Sequence, residues 1–238
     1  MNKFTPIKSF KMKKVLNPDI WEDDVLKQEI RKQLKKIAED FFDGLNFSRV
    51  KLSDIVLVGS LANYNWSKYS DIDLHLVFDF EKVNEDIELV RNYLDLSDKI
   101  WNQLHDIKIY GYDVEIYCQN ILDNPVSSGQ YSILKNKWMI HPDKEKVIID
   151  EALIKRKAEA IMDFIDNLED ELGEAFDYQL IYSKYQYIWS KIKEGRLAGL
   201  SREGEYSVEN LVFKLLRRNG YISKLLDIRK KSYDKQFK

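Results

Sequence analysis

Residues 58–77 read VGSLANYNWSKYSDIDLHLV, and the expectation for the whole chain starts from their pattern. An apolar run, Ile55, Val56, Leu57 and Val58, leads into Gly59-Ser60 and reads as a strand. A ten-residue spacer follows, and Ser70-Asp71-Ile72-Asp73-Leu74 then opens a second apolar strand. Side chains alternate between the two faces of a strand, so Asp71 and Asp73 share one face while Ile72 and Leu74 point into a core. Two carboxylates held side by side repel each other unless a cation sits between them. A small set of oxygen ligands suits Mg²⁺ that also binds substrate phosphates. Gly59 lets the backbone approach a phosphate closely, and Ser60 offers an N–H and a hydroxyl. A bare pair of this kind is also common as solvated residues on an open strand face, so its neighbours decide.

The chain has 238 residues, enough for a sizeable core in one domain or two. It is 44% apolar and 33% charged, with four Pro and nine Gly, a globular composition. No stretch approaches the roughly 18 apolar residues of a membrane span. The N-terminus, MNKFTPIKSFKMKK, is basic but lacks the apolar run of a secretory signal. A single cysteine, Cys118, excludes an intramolecular disulfide and suits a reducing compartment, so a cytoplasmic location is expected. The net charge of −2 offers no general argument for nucleic-acid binding. The ends are less neutral. Residues 1–14 carry five Lys and no acid, and residues 210–238 carry nine Lys or Arg against Asp227 and Asp234. Such ends suit a phosphate backbone, or are solvated tails and helix faces.

Asn17 as N-cap and Pro18 at the first helical position predict a helix over residues 19–47, with Ile20, Val25, Ile30, Leu34, Ile37, Phe41 and Leu45 as its apolar spacing. Strands are expected at 54–58 and 71–80, a helix at 83–104, and a third strand at 112–118. A turn region containing Asn124-Pro125 and Ser127-Ser128-Gly129 precedes a short hairpin, 131–134 with 138–140. His141-Pro142-Asp143 marks a boundary. Beyond it Ala158, Ile161, Met162, Ile165, Leu168 and Leu172 form a helical stripe, and a second helix is expected over 176–193. A loop at 195–204 and a third helix capped by Ser207 and ended by Gly220 complete the reading. The fold class is α+β: a small mixed β-sheet flanked by helices over 1–143, then a helical bundle over 144–238.

Gly59-Ser60, a ten-residue spacer and the Asp71-Ile72-Asp73-Leu74 strand together resemble the nucleotidyltransferase superfamily typified by DNA polymerase β. The diagnostic part covers about 20 residues, and the third strand extends it to about residue 119; the helical half is not specified by it. The resemblance implies a template-independent, NTP-dependent transfer of NMP to an acceptor hydroxyl, with release of pyrophosphate. It implies two Mg²⁺ ions, replaceable by Mn²⁺, held by Asp71, Asp73 and a third acid on a neighbouring strand. Glu115, inside its strand, is the first choice for that acid, and Asp113, nearer the edge, is the alternative. Glu115 can also take the acceptor's proton. Gly59 and Ser60 would hold the β- and γ-phosphates, and a basic residue of the helical half would grip the triphosphate. Lys184 and Arg196 are chosen for that role, with Tyr182 and Arg202 as further candidates.

ATP is the expected nucleotide. The acceptor is an RNA 3′ end, tRNA included, or else a small molecule or a protein. The tract 193–219 also resembles small nucleotidyltransferases of bacteriophage origin. A reading from another class is a catalytically silent nucleotide- or RNA-binding module; loss of an acid would signal it, and all three acidic positions are filled here. His75 shares the Asp71/Asp73 face and could touch a phosphate, whereas His105 and His141 lack zinc-like spacing. Gln119 is a weaker nucleotide contact. Asn63, Asn65, Trp66 and Lys68 read as a solvated turn.

Overall fold

The computed structural model describes residues 7–123, 127–144 and 149–237. Residues 1–6 of the basic arm and the expected turn at Asn124-Pro125 lie outside them. The chain divides into two compact units, Lys11–Glu145 and a helical unit of Met1–Phe10 with Lys146–Lys238.

In the first unit, β1 (Trp21–Glu22) and β2 (Val25–Leu26) form a tight hairpin ahead of α1 (Gln28–Gly44). This corrects the helix expected from residue 19. Asp23 and Asp24 adopt positive φ angles of 48° and 62°, the conformation a two-residue hairpin turn demands. Asn17 caps no helix: its side chain accepts the Asp19 N–H at 2.8 Å and donates to the Tyr112 hydroxyl at 2.7 Å. Ile20 and Trp21 go into the core instead, where Trp21 stacks on Trp138 at 4.7 Å.

The sheet is built from β3 (Asp54–Val58), β4 (Ile72–Phe78), β5 (Lys108–Ile109), β6 (Tyr112–Asn120), β7 (Gln130–Ser132) and β8 (Lys137–Ile140). Their order is β5-β6-β4-β3-β7-β8. Only β4 and β6 run parallel; the other neighbours are antiparallel. A parallel pair needs a crossover, and α2 (Ile87–Leu104) supplies it. Ile55, Leu57, Ile72, Leu74, Leu76, Phe78, Val114 and Ile116 alternate onto one face and are buried in one core with Leu34, Ala38, Phe41 and Phe42 of α1 and Val90 and Leu94 of α2. The opposite face keeps the residues in between.

The helical unit consists of α3 (Glu151–Glu174), α4 (Tyr178–Glu203), α5 (Val208–Arg218) and α6 (Tyr221–Lys235). Its core joins Ile154, Ala158, Met162 and Ile165 to Ile181, Tyr185, Leu215, Leu225 and Ile228. Phe10 is buried in the same core, with the Arg218 guanidinium over its ring at 4.5 Å. Three expectations change here. The loop at 195–204 is the last part of α4, because Gly199 packs where a Cβ would lie 2.6 Å from Ser207 Oγ, so its small size serves helix contact and not a break. Ser207 precedes α5 but makes no side-chain cap bond. The basic C-terminal stretch is no tail, since α6 buries Tyr221, Ile222, Leu225 and Ile228.

Candidate active site

β3 and β4 pair antiparallel with Val58 opposite Asp73, so the chain leaving β3 passes directly over the second aspartate. Gly59 takes φ 75°, and a Cβ there would fall 1.9 Å from Asp73 Oδ2. Both facts exclude any larger residue without a shift of the carboxylate. Ser60 then begins a short 3₁₀ turn, Ser60–Ala62.

The spacer is not the solvated turn expected from its polar residues. Leu61, Ala62, Asn63, Tyr64 and Asn65 are all buried. Lys13 N–H donates to Tyr64 O at 2.7 Å, Trp66 Nε1 donates to Val15 O at 2.9 Å, and Lys68 alone of the four named positions is exposed, over the Tyr69 ring. The Ser60 hydroxyl donates to Ser70 Oγ at 2.7 Å, and Ser67 N–H donates to the same oxygen at 3.0 Å. These bonds close the spacer into a loop that returns Ser70, the residue before Asp71, beside Ser60. Asn63, Asn65 and Trp66 are therefore held as loop structure, with the backbone polar groups of a buried segment satisfied internally.

On β4 and β6 the parallel register sets Asp73 directly opposite Glu115 and His75 opposite Tyr117. Adjacent strands lie about 4.8 Å apart, so the two acids are neighbours across the ladder. Asp71 precedes β4 by one residue on the same face. Asp113 differs from Glu115: it sits where β6 meets the edge strand β5, half-exposed, and its carboxylate is ion-paired to Lys108.

Tyr117 was not among the expected site residues. Its hydroxyl donates to Glu115 Oε2, and its pKa is pushed above the usual phenol range, first by burial and then by Glu115, with Asp73 and Asp71 adding to it. One hydroxyl thus lies in the field of all three carboxylates. The signal was present in the sequence, because alternation from Asp113 and Glu115 puts Tyr117 and Gln119 on the same face. His75 Nδ1 and Gln119 Oε1 are 2.8 Å apart, and burial holds the imidazole pKa below its ordinary value against the opposing effect of that bond.

Among the described residues no three His, Cys, Asp or Glu side chains form a ready-made metal cage. The donor chemistry still fits Mg²⁺, which takes one or two carboxylates and completes its shell with water and substrate phosphates. Asp71, Asp73 and Glu115 are the residues that would hold it. His105 stacks on Trp101 at 4.5 Å and His141 packs against Trp138, both away from the carboxylates. Lys184 and Arg196 lie on α4 of the helical unit. Lys184 is paired with Glu171 at 2.5 Å, and Arg196 donates to Asn210 Oδ1 at 3.1 Å with its guanidinium 4.2 Å from the Phe213 ring centroid.

Neither the curated proteins nor the solved structures include a significant match to this chain. A family model does match, the one described as nucleotidyltransferase domain, over residues 31–198. That span begins in α1, takes in the whole sheet and reaches into α4, well past the third strand at which the sequence motif stopped. The match covers most of the chain and includes the Gly59-Ser60 turn, the Asp71/Asp73 strand and Glu115: this protein belongs to the nucleotidyltransferase family of the polymerase β-like superfamily and is a transferase that takes its nucleotidyl group from an NTP.

Proposed function

We propose that the protein is an Mg²⁺-dependent, template-independent nucleotidyltransferase that uses ATP and extends the 3′ end of an RNA. The observation that carries the catalytic part is the register of Asp73 against Glu115, with Gly59 closed over Asp73. In this reading Asp71, Asp73 and Glu115 hold the divalent ions, for which Mn²⁺ can substitute. Bound ions would neutralise the triphosphate and acidify the acceptor hydroxyl. Gly59 and Ser60 bind the β- and γ-phosphates through backbone N–H groups and the Ser60 hydroxyl. Glu115 accepts the acceptor's proton, and Tyr117 fixes the orientation of that carboxylate through its hydroxyl. Placement and electrostatics are the main contributions of the chain.

Lys184 and Arg196 are the cations proposed to neutralise the triphosphate, on the ground of charge alone. Lys184 would give up its pairing with Glu171 to do so. The choice of RNA rests on the exposed Arg229, Lys230, Lys231 and Lys235 of α6. Small-molecule or protein acceptors are the other outcomes of the same assay.

The test is incubation with each α-labelled NTP, Mg²⁺ and total cellular RNA, with Asp73→Asn as control. Label on RNA from the wild type alone supports the reading. Pyrophosphate without labelled RNA moves the acceptor to a small molecule or protein. No pyrophosphate with any acceptor mixture favours a silent nucleotide-binding module. RNA retention that weakens with salt and with Lys230→Glu plus Lys231→Glu would implicate α6. Deleting α6 is the wrong variant, because it removes part of the bundle core.

A further inference from the structure

Helix α2 has two apolar faces, and the core uses one. Val90 and Leu94 are buried under the sheet. On the other side Leu89, Tyr93, Leu96, Ile100 and Leu104 are 58%, 49%, 57%, 48% and 75% exposed. Single exposed leucines need no explanation, but five large apolar side chains on one helix face do. Beside them a cavity of about 600 Å³ runs between α1 and α2, lined by Ile37, Phe41, Leu45, Ile100, Trp101 and Leu104.

The spacing of this stripe points to its occupant. Leu89, Tyr93, Leu96 and Ile100 fall at steps of four, three and four, the seam spacing of a helix that packs along another helix. The steps read the same from either end. Two copies of α2 laid antiparallel therefore match Leu89 with Ile100 and Tyr93 with Leu96, each contact made twice about a two-fold axis. In the same register Lys99 of one copy lies beside Glu88 of the other, about 3 Å apart along the axis and on the same flank. Both side chains are exposed and bear opposite charge. A stable interface takes roughly 800 Å² from each partner, more than this stripe alone offers, and the apolar groove along α1 extends the surface on which the second helix can lie.

We infer that the protein pairs with a second copy of itself through antiparallel packing of α2 on α2. The paired face is the outer face of the helix that covers the sheet, so the pairing does not use the face that carries the carboxylates. The inference does not depend on the reaction proposed above.

Sedimentation velocity on the full-length protein, from nanomolar to tens of micromolar, tests it, with circular dichroism to confirm folding of each variant. A concentration-dependent dimer is expected. Leu96→Lys, which alters only an exposed position, should raise the dissociation constant by about tenfold or more, because the two-fold axis buries the new charge twice. Glu88→Lys and Lys99→Glu should each weaken the dimer, and the two together should restore it. A protein that stays monomeric throughout overturns the inference, as does a dimer that Leu96→Lys leaves intact. Failure of the double charge swap to restore pairing overturns the antiparallel register.

Discussion

The two faces of the central sheet are made by alternate residues of the same strands, yet they do opposite work. Toward α1 and α2 lie Ile72, Leu74 and Ile116, with no exposed surface at all. Toward the other side lie Asp73, His75, Glu115 and Tyr117, all half-buried and polar. One step along β4 exchanges a side chain worth about 2–3 kcal/mol of burial for one whose charge is repelled by its neighbours. The covered face supplies stability, and the open face spends some of it by crowding like charges. The lesson is that adjacent substitutions here should separate activity from stability almost completely.

Asp73→Asn should give the largest effect on the open face. Removing one of the opposed carboxylates should lower nucleotidyl transfer by about 10³-fold, as for other preorganised charged groups, while the thermal midpoint stays level or rises. Steady-state turnover beside a melting curve checks both halves. The neighbouring Leu74→Ala should do the reverse. It deletes a wholly buried side chain and should cost about 3 kcal/mol in urea unfolding, with turnover per folded molecule unchanged. If either variant lost activity and stability together, the division between the faces would fail.

A third prediction sharpens the picture of the covered face, which contains one buried acid. Asp98 of α2 accepts the Cys118 N–H at 2.7 Å, and burial pushes its carboxyl up to about 6. Because the folded state holds this proton more tightly than the unfolded chain, whose carboxyl titrates near 3.9, stability falls as pH rises from about 4 to about 6 and levels above. The loss attached to this group is on the order of 2 kcal/mol, and Asp98→Asn should flatten that part of the pH profile. Urea midpoints across the acid range measure it. The smallest effect is expected at Tyr117→Phe, which removes the hydroxyl bonded to Glu115 and keeps the ring beside His75. Affinity for Mn²⁺, read by titration calorimetry, should change by a few-fold, with stability altered by about 1 kcal/mol. An unchanged affinity would remove Tyr117 from the site.

Much of this arrangement could be read without coordinates, and the misses have physical causes. Asp71 and Asp73 share a face because strands repeat every two residues, and Ala158, Met162 and Ile165 line a helix because helices repeat every 3.6. The helix expected from residue 19 failed because the apolar residues Ile20 and Val25 also fit a chain that turns back on itself, and left-handed Asp23 and Asp24 decide for the hairpin. The spacer was read as solvated because its asparagines and serines are polar. It is buried because the Ser60–Ser70 bond closes it on itself and Lys13 and Val15, distant in sequence, bond to Tyr64 and Trp66. At 195–204 three glycines suggested a loop, whereas one of them, Gly199, admits the close approach of Ser207.

By itself, the sequence determined the local periodicities, and with them the two apolar strands, the aspartate face, the helical second half and the family motif. It made Glu115 the first choice over Asp113, but it did not fix which of the two lies opposite Asp73. That choice belongs to the register between β4 and β6, which a crossover of more than thirty residues brings together, and a slip of one residue would have turned the opposite face of β6 toward the aspartates. The pairing of Tyr117 with Glu115, the loop closed by Ser60 and Ser70, and the bare outer face of α2 were likewise decided in three dimensions. Each depends on which surfaces the rest of the chain covers and which it leaves open, a property of packing that no local pattern contains.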